Sequence, residues 1–189
     1  MFLKKMTLRK KILFYLILIL PIIFLLSLIP CKVKKTSHVV ILNGERDSTI
    51  IYPNSIVMFD FIDKLSTKYC IPKHVAFNIA FLETAYRGPF DWKYNPNRTS
   101  PSGAVGPMQI MPSTATFING KKTSTKKLKT DIKLNVETSM KLLSYLYEKY
   151  GDWGIVCGAY NTGRPIINKY AKFCDENKNY QIKWVSITY

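Results

Sequence analysis

The chain has little with which to build a metal centre or a disulfide scaffold. It holds two histidines and four cysteines in 189 residues, and His38, His74 and the cysteines lack the clustered spacing of metal ligands. No metal and no cofactor is expected. Cys31 falls in the N-terminal segment, which leaves Cys70, Cys157 and Cys174 in the rest of the chain. An odd count there permits at most one intramolecular disulfide. A Cys157 to Cys174 pair and buried structural thiols both satisfy it. Acidic residues are also scarce, 12 against 28 Lys and Arg, for a net charge of +16. A phosphate loop is excluded at Gly120-Lys121, because Ala115 stands where the first glycine is required and Lys122 where Ser or Thr would bind magnesium. Internal repeats and low-complexity tracts are absent.

One stretch lacks charge altogether. Ile12 to Ile29 is an uncharged apolar run of 18 residues, which as a helix spans about 27 Å and just crosses a hydrocarbon core of ~30 Å. Pro21 within it is tolerated in membrane helices. Lys4, Lys5, Arg9, Lys10 and Lys11 precede the run, and Lys32, Lys34 and Lys35 follow it. This excess on the N-terminal side places the N-terminus in the cytoplasm and the bulk of the chain outside. A cleaved signal peptide is the alternative. Pro30 before Cys31 is a poor cleavage site and a poor context for lipidation, so an uncleaved single-pass anchor is expected.

Charge divides along the same line. Residues 1–35 carry eight basic and no acidic side chains, and the remaining 154 carry 20 basic and 12 acidic. A basic outer domain suits an anionic wall or membrane surface, and equally nucleic acid. No aromatic-interleaved basic helix or nucleic-acid motif supports the latter, so no nucleic-acid partner is expected. Five lysines between Lys121 and Lys129 read as a solvated loop, or as a rim contact with an acidic polymer.

Periodicity predicts a mainly α domain over residues 54–189, after the basic N-terminus and anchor of residues 1–35 and a linker or small hairpin at 36–53. Asn54 or Ser55 is suited to cap a helix reaching Tyr69, striped by Met58, Phe61, Ile62 and Leu65. A second helix runs from Pro72 to Tyr86. Asp131 caps a third that ends at Gly151, with Ile132, Val136, Met140, Leu143, Tyr147 and Tyr150 along one face. A fourth starts at Trp153 and ends at Asn161-Thr162-Gly163. Ile166 to Phe173 makes a closing helix, and Tyr180 to Tyr189 a tail or edge strand.

Glu83 is the poorly placed charge in this pattern. It shares a helix face with Ile79, Ala80 and Tyr86. Desolvation there raises a carboxyl pKa, which is the state that a general acid needs. On this helix alone, a Glu satisfied by a hydrogen bond or a lysine explains the pattern better. The segment Ser100 to Ala115, SPSGAVGPMQIMPSTA, adds Gly103 and Gly106 for close backbone approach. Gln109 there offers a donor and an acceptor to a polar ligand. A tight turn with Met108 and Met111 in the core accounts for the same residues.

Glu83-Thr84, Ser100 to Ala115 and Ala159-Tyr160-Asn161-Thr162-Gly163 together resemble the three-part signature of the soluble lytic transglycosylase catalytic domain, a family with the goose-type lysozyme-like fold. The resemblance covers roughly Val57 to Phe173, and its middle motif is long enough to be specific. It implies that Glu83 is the catalytic acid/base, that Ser100, Gln109 and Met111 line a sugar cleft, and that Tyr160 reaches towards the glutamate. Asn161 takes a supporting place beside it. Thr84 replaces the usual Ser, Pro107 the usual Leu and Thr162 the usual Ala. Arg87 to Arg98, with Trp92 and Tyr94, is extra chain relative to the family.

The activity that the resemblance implies is cleavage of the bond between N-acetylmuramic acid and N-acetylglucosamine in peptidoglycan strands, with closure of a 1,6-anhydro ring. No second carboxylate falls inside a matched motif. Asp91, in the extra chain, would make a hydrolytic lysozyme if it oriented water at the cleft. A non-catalytic wall-binding assembly protein is the third alternative. A small, anchored, basic enzyme suits local wall opening during envelope-spanning assembly or virus entry. The anchoring membrane is then a cell's or, for a phage-encoded chain, a virion's.

Overall fold

The computed structural model describes residues 52–179. The apolar run Ile12 to Ile29, the hairpin expected at 36–53 (all but its last two residues) and the tail from Tyr180 lie outside the described residues. Among those described, no helix is long and apolar enough to cross a membrane.

Seven α-helices make up the described residues: α1 (Asn54–Lys68), α2 (Lys73–Thr84), α3 (Pro112–Asn119), α4 (Thr125–Thr130), α5 (Ile132–Tyr150), α6 (Trp153–Thr162) and α7 (Lys169–Glu176). α5 is the beam on which the others rest, packing against α1, α3, α4 and α6, while α7 crosses both α6 and α2. Local signals set its ends. The Asp131 carboxylate accepts from Leu134 N at 2.9 Å, and Gly151 stops the helix at φ +68°. Its apolar stripe of Val136, Met140 and Leu143 is completely buried. Each such side chain contributes about 1.5–3 kcal/mol by leaving water. Tyr147, expected in that stripe, lies outside the core and stacks on Trp153 at 4.2 Å instead.

Three expected boundaries shift. Pro53 occupies the cap position of α1, so neither Asn54 nor Ser55 caps it. The Ser55 hydroxyl donates instead to Pro89 O at 2.9 Å. Pro72 is likewise the cap of α2 rather than its first residue, and that helix stops at Thr84 because Ala85 turns left-handed at φ +57°. Tyr86 therefore leaves the helix, yet it stays buried with its hydroxyl on Ser55 O at 2.7 Å. The lysine-rich segment is not simply a solvated loop. Residues Thr125–Thr130 form α4, with Ser124 Oγ accepting from Lys127 N and Leu128 fully buried. One apolar residue among lysines sufficed to pin it, which a periodicity argument over six residues does not detect.

Candidate active site

Glu83 sits in the last turn of α2, half-buried, among Ile79 and Ala80, which are completely covered. Burial raises its pKa from 4.5 to about 7, against opposing pulls from a hydrogen bond to Tyr170 and the charge of Lys169. The carboxyl thus holds a proton through mildly acidic pH, as desolvation of an ionised group dictates.

The next residue fastens the helix to the central segment. Thr84 is buried, donates to Pro107 O at 2.8 Å and lies 3.1 Å from the Tyr94 hydroxyl. Tyr94 belongs to the segment Arg87 to Arg98, expected as extra chain, and packs edge-on against Tyr86 at 4.8 Å. That chain is held at both ends, by Ser55 on Pro89 and by Gly106 N on Arg98 O at 2.9 Å. Between these anchors Phe90 and Trp92 stay exposed. The charge of Asp91 acts on Tyr94, whereas the ionic charge acting on Glu83 is that of Lys169.

The central segment folds into a small knot of antiparallel bridges, Thr99 with Val105 and Val105 with Ile110. Asn135 of α5 fills the space beneath it. Completely buried, it accepts from Met108 N and donates to Val105 O and Leu128 O, each at 2.9 Å. Gly106, at φ +80°, leaves room for that amide, since a Cβ there would lie 2.3 Å from Asn135 Nδ2. Asn135 carried no sequence motif. Its signal was a polar residue on the apolar face of α5, one position before Val136.

The expected sugar-lining residues are placed as follows. Ser100 Oγ accepts from Ala104 N at 3.0 Å and shares a hydrogen bond with Ser102 Oγ at 2.9 Å. Gln109 has φ +50°, and its Nε2 donates to Gly106 O at 2.7 Å. Such left-handed backbone costs a non-glycine residue about 1–2 kcal/mol, and strain of this kind gathers at functional sites. Met108 is completely buried, whereas Met111, at the start of α3, is 37% exposed. Only one of the two methionines is therefore core.

Two tyrosines stand near Glu83. Tyr160, in α6, donates its hydroxyl to Met108 O at 2.8 Å, and the nearby Glu83 charge pushes its pKa up further than burial alone does. Tyr170 of α7 also lies near Glu83, and each group shifts the pKa of the other. Tyr170 is 6% exposed, and a buried phenol requires a partner, which is the signal that sequence reading passed over. Asn161 acts on Tyr170 as well, and its Oδ1 accepts from Asn168 Nδ2 at 3.2 Å. Glu83, Tyr160, Asn161 and Tyr170 are so brought into one region by α2, α6 and α7, and Tyr160 ties that region to the central knot at Met108 O.

Thr162 closes α6, its hydroxyl donating to Gly158 O at 2.9 Å and accepting from Arg164 N at 3.2 Å. Cys157 and Cys174 are buried against each other between α6 and α7, the contact and burial together pushing the Cys157 thiol well up. Cys70 is exposed. Among the described residues no group of three or more His, Cys, Asp and Glu could hold a metal ion.

A family model for the transglycosylase SLT domain matches residues 60–183. The chain belongs to the transglycosylase SLT domain family. Similar solved structures include the 70 kDa soluble lytic transglycosylase of Escherichia coli, at 26% identity and a TM-score of 0.55. A complex of a 70-kDa soluble lytic transglycosylase with bulgecin A matches at 25% identity and the same TM-score. Lytic transglycosylase Slt of Pseudomonas aeruginosa, solved as an inactive mutant, is 18% identical with a TM-score of 0.55, a likeness of fold. Each match covers 67% of this chain and 24% of the other, so the chain spans about a quarter of those proteins. The mainly α arrangement is the lysozyme-like SLT fold, in which residues 87–98 are stitched to the rest of the domain through Thr84 and Gly106.

Proposed function

We propose that the chain is a peptidoglycan lytic transglycosylase in which Glu83 alone serves as acid and then base. The observation that carries the reading is a half-buried carboxyl, raised by desolvation to a pKa of about 7, on the helix that Thr84 fastens to the family's central motif at Pro107 O. At neutral pH both protonation states are populated, which suits a group that gives a proton and takes one back.

Protonated Glu83 donates to the oxygen linking N-acetylmuramic acid to N-acetylglucosamine, and the C1–O bond breaks with oxocarbenium character at C1. The Glu83 carboxylate then removes the proton of the muramic acid 6-hydroxyl. That oxygen attacks C1 and closes the 1,6-anhydro ring. Hydrolytic glycosidases use a second carboxyl about 5–9.5 Å away to supply a nucleophile or activate water. No second carboxylate falls inside a matched motif, which favours the single-carboxylate course.

Ser100, Gln109 and Met111 line the sugar side of the site in this reading, Gln109 through its amide and Met111 through an exposed thioether. Tyr160 holds the floor of the motif at Met108, and Asn161 supports Tyr170. The apolar run Ile12 to Ile29 anchors the chain in a membrane with the catalytic domain on the wall side, and local wall opening during envelope-spanning or virion assembly is the role that this arrangement suits.

Release of soluble glycan fragments from purified sacculi by the full chain in detergent tests the reading. Release by the wild type and none by Glu83→Gln is the expected result. Wall binding by both proteins with no release by either would replace the enzyme with a glycan-binding protein.

A further inference from the structure

The stretch from Met111 to Val136 carries six lysines, Lys121, Lys122, Lys126, Lys127, Lys129 and Lys133, against the single carboxylate of Asp131. That carboxylate is occupied at the start of α5, where it accepts from Leu134 N at 2.9 Å. The ion pairs of the described residues use other lysines. Among the described residues the six ammonium groups are therefore left without a carboxylate partner, and five of the six lysines are exposed, Lys129 being half-buried.

The scaffold beneath these charges is fixed. Leu128 is completely buried, and its carbonyl oxygen accepts from Asn135 Nδ2 at 2.9 Å. At about 100° per residue, this anchor turns Lys126 to the opposite side of α4, with Lys127 and Lys129 flanking it. Asn119 ties down the loop before α4, donating to Thr138 Oγ1 at 3.1 Å and to Thr123 Oγ1 at 3.4 Å.

An aromatic pair stands on the same two helices that hold this loop. Phe117 of α3 is 65% exposed and meets Tyr145 of α5, 39% exposed, with ring centroids 5.5 Å apart. Tyr145 follows Thr138 by two helical turns, about 10 Å along α5. The rings and the tied-down end of the lysine loop thus lie within about one Debye length at 0.1 M salt, which is ~10 Å.

We propose that this surface docks the folded domain on an anionic lipid bilayer, Phe117 entering the headgroup region and the six lysines meeting lipid phosphates. Each lysine near such a bilayer strengthens binding about fivefold, and aromatic rings on a basic face favour the boundary between headgroups and acyl chains. A soluble polyanion would satisfy the lysines and leave Phe117 in water. Arginine, whose planar fork suits nucleic acid, is absent from Thr99 to Gly163. Where Ile12 to Ile29 anchors the chain as proposed above, a bilayer is also within the domain's reach; only this last argument rests on that reading. Docking has a consequence for the site, because α4 abuts the central motif: a Cβ on Gly106 would lie 2.5 Å from Leu128 O. A docked α4 therefore fixes the central motif beside the membrane surface.

Lysine footprinting of the full chain gives the test. The chain is reconstituted in vesicles of phosphatidylcholine, or of phosphatidylcholine and phosphatidylglycerol in equal parts, and treated with a membrane-impermeant acylating reagent. Peptide mass spectrometry then compares the six lysines with Lys93 and Lys172, exposed elsewhere in the domain, so that the orientation of the chain in the vesicle cancels. The six are expected to react about fivefold more slowly in the anionic vesicles, to recover at high salt, and to lose most of the protection in Phe117→Ala. Replacing Lys121, Lys122, Lys126 and Lys127 together by Gln should expose Lys129 and Lys133, with thermal melts as the control for folding. Equal slowing of all exposed lysines, undiminished by Phe117→Ala, would mean that surface potential alone acts, and would overturn the proposal. Protection by soluble poly(glycerol phosphate) and none by anionic vesicles would overturn it in favour of a wall polymer. Extraction of the chain from neutral vesicles by alkaline carbonate would count against the anchor alone, since the footprint on anionic vesicles still decides the lysine face.

Discussion

Removing the charge of Glu83 should make the domain more stable at alkaline pH while abolishing its activity. The folded pKa is about 7 against an ordinary 4.5, with burial as the main cause. For a group whose pKa rises on folding, the favourable contribution is complete below the unfolded value and is lost as pH climbs through the folded value. Two and a half units of difference amount to roughly 3 kcal/mol at about 1.4 kcal/mol per unit. Wild type should therefore lose about 3 kcal/mol relative to Glu83→Gln between pH 4.5 and pH 8. In a domain of this size that is about 6–12 °C in melting temperature. Calorimetric melts of both proteins at the two pH values would show it, with near-coincident transitions at pH 4.5 and a gap at pH 8. A gap that is the same at both pH values would refute the claim that Glu83 is held in a desolvating environment.

Other perturbations follow from the same geometry. Gly106→Ala forces a Cβ to within 2.3 Å of Asn135 Nδ2 and 2.5 Å of Leu128 O at a φ of +80°, and should cost about 3 kcal/mol or more in urea unfolding, combining overpacking with left-handed backbone. Ala85→Gly relieves the left-handed cap of α2 at φ +57° and should add about 0.5–1 kcal/mol in the same assay, after the entropy cost of glycine in the unfolded chain. Cys157 and Cys174, at 0% and 3% exposure, should resist alkylation in the native state and react on unfolding, as read by peptide mass spectrometry. Labelling of both in the folded chain would contradict their burial between α6 and α7.

Elements whose ends are written locally were the legible ones. α5 could be read from Asp131, its apolar stripe and Gly151, because cap, face and stop all lie within one stretch of chain. Glu83 and the central motif were legible for a different reason, a residue order too long to arise by chance. Hidden were the side chains whose meaning depends on a partner far along the chain. Tyr170 meets Glu83 from the last described helix, and Asn135 is explained only by a knot of backbone near Gly106. Tyr160 was expected to reach towards the glutamate because its motif was recognisable; the Glu83 charge does act on it, while the acceptor of its hydroxyl, Met108 O, could not be read from the motif. Thr84 in place of Ser looked like a mild departure, and the structure gives its hydroxyl to Pro107 O and Tyr94.

The route from Glu83 to product is tested most directly by digesting purified peptidoglycan in water enriched in oxygen-18 and weighing the muramic acid ends. Closure of the ring by the 6-hydroxyl predicts ends that carry no heavy oxygen and lack the mass of one water, and that disappear with Glu83→Gln. Reducing ends with one oxygen-18 per cut would contradict the single-carboxylate account. Water would then be the nucleophile in place of the substrate's own hydroxyl, and Asp91 would be the first residue to replace in search of the group that activates it.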